Sequence, residues 1–159
     1  MLTDSRIVLQ RPTRPVTFTG LMTLYESNYV RLGWLLPDVA RVSGARISEP
    51  ARDLPLHMKL IERARYTTTI HLTYYFAEAA GRAADPDLTV RVYHDARLAE
   101  AMHCAGHHRH LALKDCVTPA GNQLGRRWAR NTMLNKWLEY CVDLGHQLGP
   151  RTEVCAVTA

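Results

Sequence analysis

The run Tyr66-Thr67-Thr68-Thr69-Ile70-His71-Leu72-Thr73-Tyr74-Tyr75-Phe76 decides how this chain is read. Ile70, Leu72, Tyr74 and Phe76 alternate with Thr69, His71, Thr73 and Tyr75, and a period of two places the first set on the buried face of one strand and the second set on its outer face. Its β-branched and aromatic content suits a pleated, half-buried surface. Downstream, Leu88, Val90 and Val92 alternate with Thr89, Arg91 and Tyr93 in a second strand. His94-Asp95-Ala96-Arg97 then reads as a hairpin connection into a short strand at Leu98 to Cys104. Upstream, His57 to Glu62 forms another strand, which Arg63-Ala64 turns back. The stretches Ser43-Gly44 to Pro55 and Gly81 to Pro86 read as loops.

The period becomes helical at both ends of the chain. Leu21, Leu24, Tyr25, Leu32, Leu35 and Leu36 recur at helical spacing, with Thr19 or Thr17 as the cap and Pro37 as the stop. From Trp128 to Leu144, the residues Leu134, Trp137, Leu138, Cys141 and Leu144 make one apolar face, and Gly145 closes the helix. Helix, antiparallel strands and helix give an α+β domain, with a meander sheet of about four strands and both helices on one face. The domain spans 18–148, between a basic arm at 1–17 and a tail at 149–159, with the chain read as loose from Gln147 onward.

Composition narrows the class. The 159 residues are 47% hydrophobic and 22% charged, as in a single globular domain, and no apolar run is long enough to span a membrane. With no apolar leader at Met1 to Arg6, the expected compartment is the cytoplasm. The four cysteines, Cys104, Cys116, Cys141 and Cys155, form no C-x-x-C pair and read as reduced thiols, with Cys141 in the core. The net charge of +5 rests on 17 Arg and 3 Lys. A guanidinium fork recognises phosphate, carboxylate or a guanine edge as an ammonium cannot, although codon bias also enriches Arg.

Four segments carry a resemblance: Leu24-Tyr25-Glu26-Ser27-Asn28-Tyr29 leading to Leu35-Leu36-Pro37, Glu62-Arg63-Ala64-Arg65-Tyr66-Thr67-Thr68, Val90-Arg91-Val92-Tyr93-His94-Asp95-Ala96, and Asn135-Lys136-Trp137-Leu138-Glu139-Tyr140-Cys141. Over roughly Leu21 to His146 the chain resembles the YqiB-like bacterial family of unknown function. The resemblance implies a small cytoplasmic bacterial protein and brings no activity with it.

The candidate binding residues are polar. Arg91 and Tyr93 share the outer face of one strand, with Asp95 and Arg97 at its end and Arg65 and Tyr66 before the neighbouring strand. Forks, stackable rings and a carboxylate together suit a purine-bearing anion; the alternative is a solvated sheet face with weak cross-strand pairs. Arg11 and Arg14 on the arm could fold over a ligand, and Arg126, Arg127 and Arg130 gather at the start of the second helix, where free N–H groups favour phosphate. The Arg-x-x-Arg spacing of Arg11/Arg14 and Arg127/Arg130 carries no weight, since 17 Arg in 159 residues produce about two such pairs by chance.

His103, Cys104, His107, His108 and His110 are ligand types for zinc, nickel or copper. They lack a carboxylate to orient them and are read as metal-free. Nucleophile elbow, Walker loop, dinucleotide fingerprint and H-E-x-x-H are all absent, and His94 and Asp95 point to opposite faces. The expectation is a non-enzymatic regulatory binding protein without cofactor, a receptor for an anionic nucleotide such as cyclic-di-GMP. The alternatives are an adaptor that binds a regulatory protein, nucleic-acid binding through the helix arginines, and a metal-assisted hydrolase on the histidine loop.

Overall fold

The computed structural model describes residues 17–104 and 123–150. In chain order these form α1 (Phe18–Leu35), β1 (Ala45–Ser48), β2 (Leu56–Arg63), β3 (Thr67–Thr73), β4 (Tyr75–Glu78), β5 (Gly81–Ala84), β6 (Leu88–Tyr93), β7 (Leu98–Cys104) and α2 (Gln123–Asp143). The main sheet is antiparallel, in the order β1-β2-β3-β6-β7, and β4 and β5 pair as a separate hairpin between β3 and β6. The α+β class and the meander are therefore as read, with five strands in place of about four.

The period-two residues of β2, β3, β6 and β7 build the floor of the core. Leu56, Met58, Ile70, Leu72, Leu88, Val90, Val92, Ala99 and Ala101 are buried beneath both helices, at roughly 1.5 to 3 kcal/mol for each large side chain. From above, α1 contributes Leu21, Tyr25, Leu32 and Leu35, and α2 contributes Met133, Leu134, Trp137, Leu138 and Cys141. Thr17 is the cap of α1: its hydroxyl accepts from the Gly20 N–H at 3.1 Å. A Cβ on Gly20 would stand 3.1 Å from the Trp128 ring, so glycine sets how closely the helices approach. Gly145 ends α2 at φ 87°, as its position after the last apolar turn predicts.

Three readings need correction. The run Tyr66 to Phe76 is two strands in two sheets: Thr73 turns its hydroxyl onto the Tyr74 carbonyl, the chain bends at Tyr74, and β4 leaves to pair with β5. Alternation alone does not reveal a bend that preserves it. Ala45–Ser48 and Gly81–Ala84, both read as loop, are strands made by pairing partners rather than by their own pattern. Thr69 and Thr73 lie on the outer face, as read, but are buried there; the Arg91 side chain lies over Thr69 and its Nε donates to that hydroxyl at 3.2 Å. Gln147 and Leu148 are held, not loose: Gln147 N–H donates to Ser48 Oγ, and buried Leu148 donates to the Leu35 carbonyl and accepts from Arg46.

Two of the three long strand pairings, β2–β3 and β6–β7, carry one irregularity each, and β3–β6 is regular. The register steps by one residue between Leu60 and Glu62 on β2, and again at Thr89/Val90 against β7. The extra residues, Ile61 and Met102, are therefore exposed although apolar. At the β7 edge the helices supply what a missing strand would: Asn28 Nδ2 and Arg130 Nε donate to the carbonyls of Ala99 and Ala101, and Asn131 Oδ1 accepts from Ala101 N–H at 2.8 Å.

Candidate functional site

The β2–β3 and β6–β7 turns lie at the same end of the sheet, joined where His94 N–H donates to the Tyr66 carbonyl at 2.9 Å. Arg65, Tyr66, Tyr93, Asp95 and Arg97, scattered in sequence, thereby share one end. The Arg65 guanidinium sits 5.1 Å from the centroid of the Tyr66 ring, which is 53% exposed. Arg97 is exposed in the turn, at φ 54°.

Cross-strand register extends this end into a polar row. Glu62, Thr69, Arg91 and Glu100 are successive partners across β2, β3, β6 and β7 and so face the same side. Arg91 is half-buried between the Thr69 hydroxyl and a loose ion pair with Glu62 at 3.8 Å. Tyr93 donates to Glu100 at 2.6 Å, and burial followed by that carboxylate raises its pKa. Beyond β7, the Tyr25 hydroxyl is buried beside the Glu100 carboxylate and the Arg127 guanidinium. Burial first and Glu100 second push its pKa up to about 12, against the pull of Arg127. The structure thus brings Arg127 to the row through Glu100 and Tyr25, neither of which the sequence singled out.

Asp95 Oδ1 accepts from the Ala96 N–H at 2.9 Å and shapes its own turn, and Glu100 and Glu62 add carboxylates to the row. Arg126, Arg127 and Arg130 lie in the first described turns of α2, and Arg130 is tied to the Ala101 carbonyl. That early stretch is helical through Arg and Ala propensity, without the apolar repeat that marks the rest. Strand alternation splits His103 from Cys104, whose thiol donates to the Met133 sulfur at 3.7 Å. No three ligand-type side chains could hold a metal ion among the described residues. Arg11, Arg14, His107, His108 and His110 lie outside the described residues. His94 faces Thr68 Oγ1 at 2.7 Å rather than Asp95, and burial followed by Arg63 lowers its pKa.

A second constellation, absent from the sequence reading, is buried at the opposite end. His146 Nε2 is 2.8 Å from Asp53 Oδ2 and its Nδ1 is 3.1 Å from Ser48 Oγ. Tyr74 OH reaches Asp53 Oδ2 and lies 3.4 Å from Cys141 Sγ. One assignment of hydrogens satisfies every member: Nε2–H and the Tyr74 hydroxyl donate to Asp53, Ser48 donates to Nδ1, Gln147 N–H donates to Ser48, and the Cys141 thiol donates to Tyr74. Burial alone would raise the Asp53 pKa, but the bonds from Tyr74 and His146 prevail and hold it below the usual carboxylate range. Burial pushes the Cys141 thiol up to about 12 and raises Tyr74 strongly. A protonated, enclosed thiol is no nucleophile, and this network acts as a clasp between the β1–β2 loop, β3 and the segment after α2. Asp53 and His146 stand 93 residues apart, so no local motif joins them; a histidine directly after a helix-capping glycine was the available signal.

An α+β domain with two helices on one face of a meander sheet, and a polar row on the other, defines the class. The chain belongs to the protein family of unknown function DUF1249, whose model matches residues 31–147. It is similar to the uncharacterized protein YqiB of Escherichia coli, with 30% identity to the K12 and the O157:H7 proteins over 128 residues, covering 80% of this chain and 90% of theirs. No solved structure matches it. Among the described residues no helix is long and apolar enough to cross a membrane.

Proposed function

We propose that this protein acts by binding, as a cytoplasmic receptor for an anionic purine nucleotide, with cyclic-di-GMP the ligand of first choice. The observation that carries this reading is the exposed Arg65–Tyr66 stack beside Arg97 at the end of the Arg91/Tyr93 row. The ring offers a stacking surface, Arg65 and Arg97 offer forks to phosphate, and Asp95, with one oxygen on its own turn, offers the other to guanine N1 and N2 donors. The Arg91–Glu62 pair is long and partly exposed, so exchanging it for a phosphate contact sacrifices little. A protein adaptor is the second reading, favoured by Trp34, 54% exposed on the outer side of α1 with the Arg31 guanidinium 5.8 Å from its ring.

Calorimetry separates the two. The receptor reading expects micromolar or tighter binding of cyclic-di-GMP and little affinity for cyclic-di-AMP. Arg91→Ala should weaken binding by about 1.5 to 3 kcal/mol, and Arg91→Lys should recover only part of the loss if the fork is used. Absence of heat with either dinucleotide at millimolar concentration discards the receptor and leaves the adaptor. Nucleic-acid binding through the helix arginines would instead appear as an affinity falling steeply with salt.

A further inference from the structure

The two edges of the main sheet are finished differently. At β7, helix side chains occupy the outward backbone groups of Ala99 and Ala101. At β1 nothing equivalent stands among the described residues. The Leu60 N–H donates to the Gly44 carbonyl, so by the antiparallel alternation Arg46 and Ser48 turn their backbone groups toward Met58 and Leu56. Ala45 and Ile47 must then point theirs away from the sheet. A groove of about 490 Å³ adjoins this edge, lined by Ser43, Ala45, Arg46 and Ile47 and by Gln147 to Pro150. Ile47 is 46% exposed beside it, and the edge has no lysine, proline or bulge of the kind that normally discourages pairing.

The side chains of β1 specify what can pair there. Its charged residue, Arg46, has both terminal nitrogens on the Asp38 carboxylate at 2.8 Å and also donates to the Leu148 carbonyl, so it has no fork left for an acidic peptide. Ala45 and Ile47 share the outer face, small beside large. The matching strand is uncharged on that face and alternates large with small in the opposite direction. Strand β1 itself has that pattern.

We propose that β1 pairs with β1 of a second copy of this chain, antiparallel about a two-fold axis at Arg46. Ala45 then lies opposite Ile47 of the second copy, and Ile47 opposite its Ala45. Both are hydrogen-bonded pairs, so the free N–H and C=O groups of each strand satisfy those of the other. Each exposed Ile47 covers an alanine. The two Arg46 side chains meet at the axis already neutralised by Asp38. The contact is isologous and closes at two copies, joining the sheets into one ten-stranded sheet.

Sedimentation of the full chain from about 5 μM to about 0.5 mM tests this; an interface this small belongs to the weak class. A monomer–dimer equilibrium is expected, weakened at least tenfold by Ile47→Lys with the melting temperature unchanged, and unaltered by Trp34→Glu on α1. Hydrogen exchange is a check that needs no variant: the Ala45 and Ile47 amides should exchange freely in dilute solution and become protected as concentration rises. A monomer at every concentration overturns the proposal, as does a dimer lost in Trp34→Glu but kept in Ile47→Lys. Protection of those amides at every concentration would mean that the edge is occupied within one chain, which also overturns it.

Discussion

Replacing Trp137 with alanine is expected to cost about 3 to 5 kcal/mol, much of the ~5 to 15 kcal/mol that holds a domain of this size together. The indole is fully buried, 5.4 Å edge-on from the Tyr74 ring, and stands where α2 meets both the sheet floor and the clasp. Its Nε1–H has no hydrogen-bond partner among the described residues. Trp137→Phe therefore forfeits volume but no hydrogen bond and should lose distinctly less. Urea denaturation of the three proteins checks this: an alanine variant whose curve overlays the parent would remove Trp137 from the core.

The second large effect is expected at the clasp. His146→Ala takes one donor from the buried Asp53 carboxylate, and Asp53→Ala leaves His146 Nε2–H and the Tyr74 hydroxyl without their acceptor, each a loss of roughly 1 to 3 kcal/mol. Because the folded-state pKa of Asp53 lies below its unfolded value of about 3.9, its contribution is complete above that value and vanishes as pH falls through the folded one. His57 and His94 also have lowered pKa values, through burial first and then Arg82 and Arg63 respectively. Their stabilising contribution exists above the unfolded histidine value near 6.5 and is lost as pH falls through their folded values. The melting temperature should thus decline in two stages as pH falls from 7, and Asp53→Asn should diminish the later one, to which Asp38, held low by its hydrogen bonds from Arg46, also contributes. If that variant keeps the parent's acid decline undiminished, Asp53 does not contribute to it.

Local patterning went far in the fold and less far in the site. Val90 and Val92, or Leu134 and Trp137, report their burial through immediate neighbours, so period alone locates β6 and α2. Ala45–Ser48 carries no such pattern, because an edge strand is half solvated and is defined by what it pairs with. The same limit governs the site. Arg91 and Tyr93 were legible because strand alternation fixes their face, whereas Glu62 and Glu100 join them only through register, which a bulge at Ile61 shifts by one residue.

The side-chain seal on β7 has a consequence for the order in which the protein is made. The strands that build both sheets have all been synthesised once Cys104 is added, but Asn131 and Arg130, which close the far edge, come later, as do the α2 residues that cover much of the floor. A nascent chain halted between these points would have its β7 edge and much of its apolar floor uncovered while still tethered to the ribosome. Translational pausing in that interval is thus when self-association or chaperone capture threatens most, and release of the last helix ends the exposure.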